Sequence, residues 1–280
     1  MMSFDGHIHL WNENSIPCKD FPERLKKAGV SGGLLMSLPP PSFRSEVNLP
    51  APVRIEHLFA WHALQPGLWP FFWVDPTEKD AEKQLEKAAE AGVKGFKVIC
   101  DHFFPGEERP MQIFQRIADM GLPIVFHSGC LANGRDSSNF NRPMNFECMI
   151  RVRKLRFSMA HIGWPWCDEY AALFLLLKIQ EKKHPDNCKM FVDNTVGTPD
   201  IYRKPVFEKL FSVCEPKERM YFGADQLAEN YDDRQVAWYL NRDAGLYREL
   251  GLTQKEIRNL HEDNLRKFVE GDLQSYGNPA

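Results

Sequence analysis

Eight short apolar runs, each followed by a stretch with helical spacing, organise this sequence from end to end. The runs are residues 4–10, 33–38, 71–74, 95–100, 123–127, 156–161, 189–193 and 219–223. Each is as long as a buried strand, and near-continuous hydrophobicity is what a strand covered on both faces requires. Between them lie helix signatures. Thr77-Glu78-Lys79-Asp80 predicts a capped start, with Ala81, Leu85, Ala88 and Ala89 as the inward stripe and Gly92 at the end. Pro110 predicts a first helical position ahead of Ile113, Ile117 and Met120. Residues 51–64 and 166–183 read as helices, the second stopped by His184-Pro185. Val206, Phe207, Leu210 and Phe211 mark another, and Thr253-Gln254-Lys255-Glu256 is a capping box leading into Ile257, Leu260, Leu265 and Phe268.

Eight strands each followed by a helix, in 280 residues, predict an α/β fold with a closed (β/α)8 TIM barrel. A doubly wound open sheet would carry a glycine fingerprint after its first strand, and none stands there. No linker or repeat interrupts the pattern, so residues 1–280 are expected to form a single domain.

Composition narrows the function classes. With 35 Lys and Arg against 38 Asp and Glu the net charge is -3, which excludes a protein that neutralises phosphates in bulk, so no nucleic-acid partner is expected. The seven cysteines are scattered and never form a C-x-x-C pair, which suits reduced thiols. The opening residues lack a basic, then apolar leader. The longest apolar stretch, 170–177, is too short to span a bilayer. A cytoplasmic location, no membrane partner and a small-molecule substrate are the expectations, with a homodimer as a frequent state for such chains.

In a barrel of this kind chemistry sits where the strands end. Four of the nine histidines fall at the ends of apolar runs, namely His7, His9, His127 and His161, and Asp225 follows the eighth run. Side chains two apart on a strand share a face, so His7 and His9 point the same way and can grip one divalent cation. His127 and Asp225 would reach it from other strands. Three imidazoles and one carboxylate suit Zn2+, with Mn2+ or iron as further options. His57 and His62 lie in a predicted helix and read as packing residues, His184 as a helix-end cation and His261 as structural. Arg151, Arg153, Lys154 and Arg156 read as a solvated run.

These residues carry a resemblance. Phe4-Asp5-Gly6-His7-Ile8-His9-Leu10, Phe126-His127-Ser128-Gly129, Met159-Ala160-His161-Ile162-Gly163 and Tyr221-Phe222-Gly223-Ala224-Asp225 resemble the amidohydrolase superfamily, in its amidohydrolase-related branch of metal-dependent hydrolases and non-oxidative decarboxylases. Trp73-Val74-Asp75-Pro76 and the closing His261 to Phe268 segment are similar to that branch as well. The resemblance implies a barrel without an added β-sandwich. It implies that His7, His9, His127 and Asp225 hold the metal, and that His161 polarises the substrate or its oxyanion. Asp225 would be the general base that takes a proton from metal-bound water and returns it to the leaving group. Lys97 is the one candidate on the fourth strand, either a carboxylated bridge between two ions or an amine for a substrate carboxylate. The implied activity is hydrolysis of a small amide, ester or lactone. The alternative is a non-oxidative decarboxylase or hydratase of a small carboxylic acid. There Trp164 and Trp166 would flank a ring, and Arg135 and Arg142 would take the carboxylate. His102, after the fourth strand, is a further candidate substrate contact. Asp193, Asn194 and Thr195 at the end of the seventh offer hydrogen-bond partners. The related metal-dependent deoxyribonuclease branch carries a strand-four glutamate and Glu-Thr-Asp at strand eight, and this chain has neither. A silent, ligand-binding barrel is the reading from a different class.

Overall fold

The computed structural model describes residues 3–43 and 47–271; residues 1–2, 44–46 and 272–280 of the expected domain lie outside the described residues. All eight apolar runs are strands: β1 (Ser3–His9), β2 (Val30–Met36), β3 (Leu68–Trp73), β4 (Gly95–Val98), β5 (Ile124–Phe126), β6 (Arg156–Met159), β7 (Lys189–Thr195) and β8 (Met220–Gly223). A two-residue strand, β9 (Gln226–Leu227), follows. They form one parallel sheet in the order β8-β7-β6-β5-β4-β3-β2-β1-β9. The helices are α1 (Phe21–Ala28), α2 (Ala51–His62), α3 (Ala81–Ala91), α4 (Glu108–Asp119), α5 (Cys167–Lys183), α6 (Asp200–Val213), α7 (Asp233–Glu249), α8 (Gln254–Arg258) and α9 (Asn264–Glu270). This is a TIM-barrel-like α/β architecture.

Two apolar layers hold it. The larger lies between the sheet and the helices, where Ile8, Leu35, Phe72, Phe96 and Phe126 meet Leu25, Leu58, Leu85 and Ile117. The smaller lines the inner face of the curved sheet, with Phe4, Leu34, Phe71, Val125, Phe191 and Tyr221 packed on Phe268 of α9. The Phe268 ring is 5.2 Å from Phe191 and 5.5 Å from Tyr221. With one end of the interior filled by aromatic rings, the polar strand-end residues collect at the other.

Local differences from the sequence reading have local causes. Asp75 Oδ1 accepts from the Thr77 N–H at 2.8 Å and from its hydroxyl at 2.7 Å, so Thr77 is drawn into a turn and α3 begins only at Ala81. Gly92, at φ 97, ends it as expected. Pro110 is third in α4 rather than first, which costs no hydrogen bond because the first four N–H groups of a helix lack intrahelical acceptors. β5 is followed by 3-10 turns at Ser138–Asn141 and Pro143–Arg151 rather than an α-helix. There Asn141 Nδ2 donates to the Cys100 carbonyl and Asn145 Nδ2 to that of Asn139, tying side chains to backbone in place of a regular helix. Arg156 is no solvated charge. It sits on β6 and donates to the carbonyls of Gly121, Phe268 and Val269. The Thr253 capping box is formed, with Glu256 Oε2 accepting from the Thr253 N–H at 2.7 Å.

Candidate metal centre

β1 delivers two imidazoles to one point. The His7 and His9 rings lie 4.9 Å apart, and Asp225 comes in from the turn after β8. Asp225 Oδ1 is 3.7 Å from His7 Nε2 and 3.5 Å from His9 Nε2. Asp225 sits at φ 54, a left-handed conformation that aspartate tolerates better than most residues. One ligand atom from each of the three lies within 4.8 Å of the others.

The neighbours of His7 decide what it can offer. Its Nδ1 is 2.7 Å from Asp193 Oδ2 on β7, which leaves Nε2 to face Asp225. The Thr195 hydroxyl donates to the other Asp193 oxygen. Burial pushes His7 and His127 well below the usual histidine range and brings His161 to about 4, so these imidazoles are neutral and keep a lone pair. Burial alone would raise the Asp225 carboxyl. The hydrogen bond from His9 and the His161 and His7 rings beside it outweigh that and hold it well below the usual carboxylate range. His9 Nδ1 and His161 Nδ1 are buried without a protein partner. The unclaimed His9 nitrogen, with His7 Nε2 and the Asp225 carboxylate at the same point, is a donor set that fits a divalent cation.

His161 enters by a strained turn. His161, Ile162 and Gly163 take φ of 60, 47 and 64 one residue after β6, and the Thr198 hydroxyl donates to the His161 carbonyl at 2.6 Å. A Cβ on Gly197 would overlap His161 Nδ1, so the ring keeps its place because that position carries no side chain. The His161 ring stands 5.5 Å from His7 and 5.0 Å from His127. His127 Nε2 faces the Cys130 carbonyl at 3.0 Å, and His127 is not within the three-residue cluster.

The other expected contacts divide. Lys97 is fully buried, with Nζ 3.4 Å from His7 Nε2, and burial lowers its pKa to about 8 against the pull of Asp193 and Asp225. His102 engages neighbours through both ring nitrogens: Asp101 at 2.5 Å on one side, Thr77 at 3.0 Å on the other. The Asp101 bond raises its pKa. Trp164 is half-buried, its ring 6.0 Å from Tyr202. Arg135 pairs with Asp101 at 2.9 Å, and Arg142 pairs with Glu169 while lying over the Trp166 ring.

Sequence reasoning named Asp193 only as a strand-end group; its grip on His7 joins positions 186 residues apart. It missed the wall beside His9, where the Trp11, Phe43 and Trp73 rings pack with centroids 4.8 to 6.1 Å apart. The one linear hint was Trp11, two residues beyond His9 and therefore in phase with it.

Comparison with known proteins bears on these observations. A family model described as Amidohydrolase matches residues 4–270. None of the curated proteins compared matches the sequence. Solved structures with a similar fold include 2,6-dihydroxybenzoate decarboxylase from Rhizobium, at 11% identity and TM-score 0.65, covering 96% of this chain and 99% of that one. A protein from Pseudomonas putida, provisionally named a 2-pyrone-4,6-dicarboxylic acid hydrolase, is similar at 17% identity and TM-score 0.61, covering 97% and 98%. An amidohydrolase from Burkholderia multivorans is similar at 11% identity and TM-score 0.65, covering 96% and 99%. At such identities the likeness is one of fold.

Proposed function

This chain belongs to the amidohydrolase family, and from that premise we propose that it is a metal-dependent hydrolase of a small amide, ester or lactone. The observation that carries the proposal is the meeting of His7, His9 and Asp225, two imidazoles and a carboxylate brought to one point. In this reading the three, with His127 as a fourth ligand, hold a divalent cation, Zn2+ before Mn2+. The cation supplies Lewis acidity, which brings the pKa of water from 15.7 to about 7 and polarises a carbonyl.

The side chains do the rest. Asp225 accepts the proton of the attacking water and gives it back to the leaving group. His161 stands beside the cluster and polarises the substrate oxygen, a role that in comparable donors contributes about 3–4 kcal/mol. Lys97 holds a substrate carboxylate, supported by its burial next to His7. Trp164 and His102 are contacts further out. The sheet is taken as a closed (β/α)8 barrel without an added β-sandwich, and residues 1–280 as one domain. The Ala224 N–H donating to Asp5 Oδ1 across β8 and β1, at 2.8 Å, supports that closure.

Non-oxidative decarboxylation is the second reading. It is favoured by Lys97, because Arg135 and Arg142 are each engaged by a carboxylate and Lys97 is the cation buried beside the cluster. One experiment separates the two. The Zn2+-loaded protein is presented with small esters, amides, lactones and hydroxylated aromatic acids. Water uptake by the first three, lost on chelation and restored by Zn2+, supports hydrolysis; gas release from the acids alone supports decarboxylation. Full turnover in metal-stripped protein would overturn both.

A further inference from the structure

Asp5 is the innermost charged group of β1 and has no part in the chemistry above. It is fully buried. Its Oδ1 accepts from the His7 N–H at 3.0 Å and from the Ala224 N–H at 2.8 Å, and its Oδ2 accepts from the Tyr231 hydroxyl at 2.9 Å. The three donors come from three places: the strand that carries His7 and His9, the residue before Asp225, and the chain beyond β9. We infer that Asp5 is a positioning residue that fixes Asp225 against the His7–His9 pair by tying β1 to both ends of the segment that carries Asp225. The inference rests on the reading that these three side chains hold a cation.

The connection is short. His7 and Ala224 share one carboxylate oxygen, so the backbone of the first ligand and the backbone next to Asp225 are held at two hydrogen bonds from one atom. Asp225 then leaves Ala224 in a left-handed conformation, where small changes in the preceding peptide swing its side chain. Gly6 keeps the strands close, since a Cβ there would stand 2.9 Å from the Phe222 carbonyl oxygen. Between those two ends the segment is held to the first strand and the residues after it as well. β9 pairs with Ile8 and His9, and Glu229 Oε1 accepts from the N–H groups of Trp11 and Asn12 at 2.9 and 3.0 Å. Tyr231 is itself anchored, its ring edge-on to Phe21 at 5.7 Å. Asparagine can keep this arrangement, with its oxygen toward the two N–H groups and its amide toward Tyr231; alanine cannot.

The test compares wild type, Asp5→Asn, Asp5→Ala and Tyr231→Phe, each titrated with Zn2+ against a chromophoric chelator, with circular dichroism and melting of the metal-free forms alongside. Asp5→Ala is expected to weaken Zn2+ binding by about 10- to 100-fold while Asp5→Asn restores most of it, the size seen when a ligand loses its outer support. A folded Asp5→Ala with wild-type affinity overturns the inference, as does an Asp5→Asn no better than alanine. If Asp5→Ala does not fold, Tyr231→Phe decides: weakened binding supports the role, unchanged binding overturns it. If wild type takes up no Zn2+, the proposed function falls by itself. The positioning claim is then settled by the crystal structure of Tyr231→Phe, where Asp225 still within 3.5 Å of His9 Nε2, as in wild type, overturns it and a displaced Asp225 supports it.

Discussion

Asp193 Oδ2 lies 2.7 Å from Nδ1 of His7, so a residue on β7 dictates which nitrogen a residue on β1 presents to Asp225. Asp193 is fully buried, and burial raises its carboxyl to about 6 against the pull of the Thr195 hydroxyl, His161 and Lys97. Asp193→Ala would free the ring to turn and strand its N–H without an acceptor. Zn2+ affinity is expected to fall by about 10- to 100-fold, measured by competition with a chelator.

Asp225→Asn keeps an oxygen that can ligate and removes the group that accepts a proton. The expected outcome is retained metal, counted by elemental analysis, with turnover lower by about 10²- to 10⁴-fold on whichever substrate the wild type hydrolyses. Metal lost together with activity would place Asp225 as a ligand alone.

Gly197→Ala puts a methyl group where His161 Nδ1 stands. Either the imidazole or the chain at residues 196–198 must give way, and small-to-large changes in packed regions cost about 1–3 kcal/mol. Turnover should fall with His161 displaced, while Zn2+ affinity should stay near that of wild type, because His161 is not among the three clustered ligands. Parallel turnover and metal-titration measurements check both.

Buried ion pairs are better judged by breaking than by counting. Arg203 on α6 pairs with Asp243 on α7, and both are buried. Arg203 also donates to the carbonyls of Asn194 and Thr195, beyond Asp193 on the same strand. Arg203→Met leaves buried Asp243 with Arg242 Nε, at 3.0 Å, as its remaining charged partner and should destabilise by at most about 3–5 kcal/mol, whereas Arg203→Met with Asp243→Leu should recover part of that. Urea unfolding of the two variants distinguishes these outcomes.

His261 gives a pH dependence away from the metal centre. Burial lowers its pKa to about 4. The unfolded chain therefore binds a proton near pH 6.5 that the folded chain refuses, and stability present above pH 6.5 is lost as pH falls toward 4. The loss amounts to at most about 3 kcal/mol. His261→Met should flatten the fall in urea-derived stability between pH 7 and pH 4.5 relative to wild type, and an unaltered slope would show that His261 contributes nothing to it.

What the linear text revealed depended on whether a feature was local. The eight apolar runs and the shared phase of His7 and His9 are properties of neighbours, and all eight runs are strands. The start of α3 was misplaced because Asp75 competes for Thr77, a contest of side chain and helix that periodicity does not register. The left-handed course of His161 to Gly163 has one local sign, the glycine. The shortest hydrogen bonds of His7 go to positions 5 and 193, and only the second is distant. Asp5 was in plain view within the first motif, but its donors at 224 and 231 become neighbours only when β8 comes alongside β1.

The inner aromatic layer has a temporal corollary. Phe4 is made well before Phe268, yet they belong to the same packed cluster. During synthesis the sheet can be assembled strand by strand while its inner face stays open to water, with Phe71, Phe191 and Tyr221 unsealed until α9 emerges. A ribosome stalled short of residue 264 would hold all the strands with an adhesive inner face, a substrate for holdase chaperones and for aggregation. α9 is thus the seal of that aromatic face as well as a helix.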